Sequence, residues 1–424
     1  MHGLFRGDQR APRGPGTCQG PRSQGALAAA EPLSFTAPPG WTARPPPLLH
    51  LPAGSPPAGY SLLATPCWLL PTGYFPLGPH WVPRSLSSTA VPTNASQPPS
   101  PGRAQVERRA EKIAGPVRHL FPYAPHFADV PGGHSTKGQS AVMHYVDEGV
   151  TNTEGPVLCV HGNPTWSFYW RRIIEELKGE TRVVAPDHLG MGLSERIPGG
   201  VRLAEHVAAL VSLIEQLDLK NITLVVHDWG GAIGFGAAVA LPERFSRLVV
   251  TNTAAFPTSF MPKRIAACRV PGVGRLAVQG GNAFARAATT QTTVIPLDDD
   301  VRKGLLAPYS SWTNREQVWR FVMDIPMKES HPSWTTLCAI ADKIETLQAM
   351  PMDIVWGMHD WCFTPLFKSM WEQRFPEAFV TVLDGAGHYV NEDAPEAVIT
   401  AIRRVRRQLP SLAGSLGLDD GAAE

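Results

Sequence analysis

No stretch of this 424-residue chain reaches 18 consecutive apolar residues, so no helix of it is expected to cross a bilayer. Neither sign of charge predominates. Lys and Arg number 38 against 37 Asp and Glu, a formal net charge of +1, which gives no electrostatic case for nucleic acid and turns attention to small-molecule substrates. Cysteine is sparse, and the six present (Cys18, Cys67, Cys159, Cys268, Cys338 and Cys362) show neither CxxC spacing nor a Cys/His cluster with metal-ligand spacing. No metal or other cofactor is therefore expected. The cysteines read as reduced thiols of a cytoplasmic protein. The opening "MHGLFRGDQRAPRGPGT" lacks the apolar core of a signal peptide.

The first hundred residues contain no lysine, while 21 of the 42 prolines precede Arg103. Such density excludes sustained helix or central strand, so residues 1–115 read as a Pro-rich, low-complexity extension. Three readings of it stay open: a chain without fixed structure, translation from upstream of the true start, or a proline-rich ligand for a partner domain.

Beyond it the remainder is expected to form one catalytic domain over 116–412, with a short tail at 413–424. Hydropathy alternates in the manner of an α/β sheet: "AVMHYVDEG", "PVLCVHG", "TRVVAPD", "ITLVVHD", "SRLVVTNTA", "MDIVWGMHD" and "FVTVLDGAGH" read as short apolar strands, most ending at a polar turn. Apolar spacing of three and four marks helices over Ala204–Leu217 and Pro395–Leu409. Residues of about 256–347, with Trp312, Trp319 and Trp334, break the alternation and read as a helical lid inserted after one strand.

In open parallel sheets functional groups gather at the carboxyl ends of strands, where Asp228, Asp360 and His388 are expected to fall. Their order is nucleophile, acid, base. The 28 residues from Asp360 to His388 leave room for one helix and one strand, which returns both to the same sheet edge. "VHDWGG" has the layout of a nucleophile elbow with Asp228 where an esterase carries Ser, and "HGNPTW" follows an earlier strand where a second oxyanion donor belongs. His161 and His227 read as structural, each hydrogen-bonding near a strand end.

A carboxylate is a poor nucleophile for peptide or ester cleavage but a competent one toward saturated carbon, forming an alkyl ester that His-activated water can hydrolyse. His388 would take the proton, and Asp360 would hold its imidazole in the right tautomer. A departing halide needs donors rather than a proton, which the Trp229 indole and the Asn163 amide can provide. A departing epoxide oxygen needs acidic hydroxyls. Only Tyr309 lies between Phe256 and Glu345, which weighs against epoxide hydrolysis.

"HGNPTWSFYWR", "PDHLGMGLSE", "VHDWGGAIGFG", "NTAAFP", "WGMHDWCF" and "GHYVNEDAPE" together resemble the haloalkane dehalogenase family of α/β-hydrolases over about residues 120–409. The resemblance implies an α/β-hydrolase fold, a mostly parallel central sheet with a helical lid. It also implies Asp228 as nucleophile, His388 as base, Asp360 as acid, and Asn163 and Trp229 as leaving-group and oxyanion donors. One subfamily carries its acid as a Glu where this chain has Asn252, so Asp360 is the better candidate. The same motifs are similar to the β-lactone decarboxylases of olefin synthesis, which share the triad. The expected activity is dehalogenation of a small apolar substrate to alcohol and halide, with decarboxylation of a long-chain β-lactone to a cis-olefin as the alternative. Oligomeric state is not legible.

Overall fold

The computed structural model describes residues 102–408. The proline-rich stretch to residue 101 and the expected tail at 413–424 lie outside the described residues. Structure begins earlier than residue 116. Once the prolines stop at Pro101, "RAQVERRAEKIA" forms the helix Arg103–Ala114 and buries Val106 and Ala110, one turn apart.

Eight strands form one sheet: β1 (His126–Pro131), β2 (Ser140–Glu148), β3 (Val157–Val160), β4 (Val183–Pro186), β5 (Ile222–Asp228), β6 (Phe245–Thr253), β7 (Met352–Gly357) and β8 (Phe379–Leu383). Their order is β1-β2-β4-β3-β5-β6-β7-β8. The first two pairings are antiparallel, and all from β4 onward are parallel. Every residue of β3, β4, β5 and β7 is buried, as near-continuous apolar runs require in a sheet covered on both faces.

The strand period of two divides the core. Leu224 and Val226 point into one apolar layer with the helices Leu203–Gln216, Trp229–Ala240 and Pro365–Arg374. Val225 between them points into the other, with Arg171–Leu177 and Pro395–Arg407. Between β6 and β7 the chain leaves the sheet for a set of short helices, among them Lys263–Cys268, Ala283–Gln291, Asp299–Leu306, Glu316–Met323 and Trp334–Lys343. Val278, Phe321 and Leu337 of this insertion pack into the first layer, so it is built onto the same core as the strand ends it faces.

Candidate active site

Asp228 closes β5 and caps the helix Trp229–Ala240 at φ 51°, ψ −125°, a conformation that costs a non-glycine residue on the order of 1–3 kcal/mol. Neighbouring glycines make the turn possible. A Cβ on Gly230 would lie 2.0 Å from the Val160 carbonyl oxygen, and one on Gly162 would lie 2.3 Å from the Asp228 side chain. The Thr253 hydroxyl ties the bend down by donating to the Asp228 carbonyl.

The carboxylate is held asymmetrically. Its Oδ1 accepts from the backbone N–H of Asn163 and of Trp229, each at 2.6 Å. Its Oδ2 has no such donor among the described residues and stands 3.6 Å from His388 Nε2. His388 Nδ1 is 2.8 Å from Asp360 Oδ2, and Asp360 Oδ1 accepts from the N–H groups of Cys362 and Phe363 at 2.6 and 3.0 Å. With Nδ1–H committed to Asp360, Nε2 carries the free lone pair and faces the Asp228 carboxylate. The helix Pro365–Arg374 and strand β8 fill the interval between Asp360 and His388.

All three side chains are buried. Burial raises the Asp228 carboxyl above the ordinary aspartate range, against the pull of His388 and the two N–H donors. Burial alone would lower the His388 imidazole, but Asp360 and then Asp228 outweigh it and leave the ring more basic than usual. His227 and His161 act as backbone fasteners. His227 Nε2–H donates to the His388 carbonyl at 2.9 Å, and His161 Nδ1–H donates to the Gly162 carbonyl at 2.7 Å.

Asn252 has a role that its sequence position conceals. Its Nδ2 donates to Asp360 Oδ2 at 3.0 Å and to the Gly357 carbonyl at 3.0 Å, while its Oδ1 accepts from the Gly357 N–H at 2.8 Å. Asn252 therefore ties Asp360 to the end of β7 and fixes where its carboxylate stands. An Asn252→Asp substitution keeps the shape but places a second carboxylate against Asp360. We expect the acid limb of the pH–rate profile to move upward, because extra negative charge in the site favours the protonated forms of both His388 and Asp228, and the melting temperature to fall. An unchanged pH–rate profile would contradict the positioning role.

Asp228 and His388 open into a cavity of about 610 Å³ between the sheet edge and the insertion, walled largely by Phe256, Phe260, Ile265, Val278, Phe284 and Phe363. Asn163 and Trp229 also line it. The Trp229 indole N–H has no acceptor among the described residues, whereas the Asn163 amide already donates to the Val318 carbonyl of the insertion at 3.1 Å. The two expected donors thus differ: the indole is free and the amide is half committed. Tyr309 is fully buried, donates to the Thr165 carbonyl at 2.8 Å and is not part of the cavity wall. Tyr389 and Cys362 line the cavity together with Asp228 and His388; nothing in their spacing singled them out.

Comparison with known proteins agrees with this fold. A family model described as alpha/beta hydrolase fold matches residues 155–395. The chain belongs to the α/β-hydrolase fold family. Within this α/β-hydrolase group it is 36% identical over 313 residues to a cis-3-alkyl-4-alkyloxetan-2-one decarboxylase of Shewanella oneidensis, covering 72% of this chain and 95% of that protein. It is 32% identical to haloalkane dehalogenase 2 of Mycobacterium tuberculosis, over 68% of this chain and 96% of the relative. Among solved structures, haloalkane dehalogenase DbeA from Bradyrhizobium elkani superposes with a TM-score of 0.58 at 25% identity, over 66% of this chain and 99% of DbeA. The chain is an enzyme of this α/β-hydrolase family, and no helix among its described residues is long and apolar enough to cross a membrane.

Proposed function

We propose that Asp228 is a nucleophile toward saturated carbon, acting on an apolar substrate through a covalent alkyl ester. The observation that carries this reading is the division of labour within one carboxylate: Oδ1 sits between two backbone N–H groups, and Oδ2 is left free beside His388 at the cavity floor. Oδ2 attacks, the carbon–leaving-group bond breaks, and the ester carbonyl is already seated on its two donors. The N–H groups of Asn163 and Trp229 serve as the oxyanion hole, His388 as base and Asp360 as the acid that orients it.

For the electrophile, the reading best supported is the ring carbon of a β-lactone bearing two alkyl chains. A largely apolar cavity of about 610 Å³ is far larger than a short haloalkane needs. The identity to the oxetanone decarboxylase is also the higher of the two. Attack of Oδ2 at the ring carbon that bears oxygen breaks that C–O bond and frees a carboxylate. Loss of carbon dioxide then moves its electron pair into a new C=C bond and expels the Asp228 carboxylate, with no water consumed.

The free Trp229 indole favours a second reading, dehalogenation. There the indole donates to the departing halide, and His388 deprotonates the water that hydrolyses the ester. A Trp229→Phe substitution removes this donor and is expected to weaken bromide binding, followed by quenching of the remaining tryptophans, by about tenfold or more. Equal bromide affinity in both proteins would remove the support for a halide site. Incubation with a long-chain cis-β-lactone and, separately, with 1-bromobutane tests the assignment. Fast alkene formation with slow bromide release supports the lactone reading, and the reverse supports dehalogenation.

A further inference from the structure

From Arg244 to Leu297 the chain contains no Asp or Glu, although acidic residues are nearly as numerous as basic ones overall. The insertion's share of that stretch carries Lys263, Arg264, Arg269, Arg275 and Arg286, and none of the five forms an ion pair among the described residues. Their hydrogen bonds go to neutral groups, although Asp324 lies near enough to Arg269 to act on it electrostatically. Arg264 donates to the Gln291 side chain and lies over the Trp361 ring, Arg269 donates to the Val322 and Ile325 carbonyls, and Arg275 donates to Gln279 and lies over Trp319. The acids that follow are engaged elsewhere, Asp299 with Arg302 and Asp300 with Lys303 and His119.

Large apolar side chains stand out among these cations. Val270, Val273 and Leu276 are 48%, 66% and 64% exposed within seven residues, and Phe260 is 37% exposed. Burying such side chains in an apolar phase is favourable, and leaving a cluster of them in water needs a reason. The same segment forms the cavity wall: Phe260, Arg264, Ala267, Cys268, Ala277 and Val278 all line it. Exposed aliphatic side chains, unpaired cations and the walls of an apolar cavity therefore belong to one piece of chain.

We propose that this face of the insertion, centred on residues 260–286, docks on an anionic lipid surface, so that an apolar substrate passes from the lipid phase into the cavity. The occupant follows from the two kinds of group present. Val270, Val273 and Leu276 suit the acyl boundary of a bilayer, and Lys263, Arg264, Arg275 and Arg286 suit anionic headgroups. A water-soluble acidic partner would satisfy the cations but leave the aliphatic cluster unexplained. The inference rests on the proposed apolar substrate for its purpose, although the docking itself can be measured without turnover.

The test is cosedimentation of the full chain with phosphatidylcholine vesicles, with and without one third phosphatidylglycerol. Binding is expected only with the anionic lipid and is expected to be lost in high salt. Two double variants separate the contributions: Lys263→Gln with Arg286→Gln, and Val273→Ser with Leu276→Ser. Each is expected to lower partitioning by about tenfold or more while leaving turnover of a soluble substrate unchanged when vesicles are absent. No sedimentation with either lipid would overturn the proposal and favour an acidic protein as occupant. Equal binding to both lipids, or binding that neither variant alters, would overturn it as well. Absence of turnover with every substrate would count against the proposed reaction and leave the vesicle result intact.

Discussion

Replacing Asp228 by alanine is expected to lower kcat by at least about 10⁴-fold for every substrate, because both proposed reactions begin with the same bond from Oδ2 to carbon. The alanine variant retains the two N–H donors of Asn163 and Trp229, the cavity and His388. What it loses is the atom that forms the covalent intermediate, and water cannot use the geometry that holds a tethered carboxylate. Stability should change little. Removing the carboxylate also removes a buried group whose charged form burial disfavours, which offsets the lost hydrogen bonds. The strained φ remains, and an Asp228→Asn variant, which has the same shape and keeps an acceptor for the N–H groups of Asn163 and Trp229, controls for the lost hydrogen bonds. Residual alkene or halide formation near the wild-type rate, in folded protein, would mean that another group attacks the substrate.

Much of this site was legible in the sequence for a physical reason. The parallel strands are short apolar runs that end at turns, and Asp228 and Asp360 fall at or just past those ends. His388 was less directly placed, five residues beyond the end of β8 in the turn that leads to the following helices. Its position could still be inferred, because one helix and one strand fit between it and Asp360. Other features resisted. β1 reads "HFADVP", with only Ala128 and Val130 buried and a proline at its end, so its period of two is too brief to stand out. The helix Arg103–Ala114 follows directly on proline-dense sequence that masked its spacing of four.

Relationships across the fold were the least legible. Asn252 looked like a missing acid, and its hold on Asp360 appears only when β6 and β7 are paired. The partial commitment of Asn163 depends on the Val318 carbonyl, 155 residues away on the insertion. The cation-only character of residues 244–297 was present in the sequence throughout. Its meaning depends on exposure, ion pairing and the cavity wall, which periodicity does not report.

His388 offers the sharpest separation between the two proposed reactions. In dehalogenation the ester must be hydrolysed, so His388→Ala is expected to stall after the first step and accumulate an alkyl-enzyme adduct, seen as a mass increase on the peptide carrying Asp228. In lactone decarboxylation the ester decomposes by expelling Asp228, so the same variant should slow turnover without accumulating an alcohol-forming ester. Isotope placement makes the distinction quantitative. A single turnover of wild type in ¹⁸O-water leaves the label on Asp228 if water attacks the ester carbonyl, and leaves Asp228 unlabelled if carbon dioxide departs instead. The pH dependence follows the same division. Hydrolysis needs a neutral imidazole, and Asp360 with Asp228 makes His388 more basic than an ordinary histidine. The hydrolytic step is therefore fully active above that raised pKa and is lost as pH falls through it, giving an acid limb above the usual value of about 6.5. A decarboxylating enzyme has no proton to remove from water, and its first step requires only that Asp228 be ionised. Its acid limb is instead set by the Asp228 carboxyl, which burial raises above the ordinary aspartate range. Labelled Asp228 together with an acid limb above 6.5 would assign hydrolysis. Unlabelled Asp228, alkene product and a limb set by a carboxyl would assign the lactone.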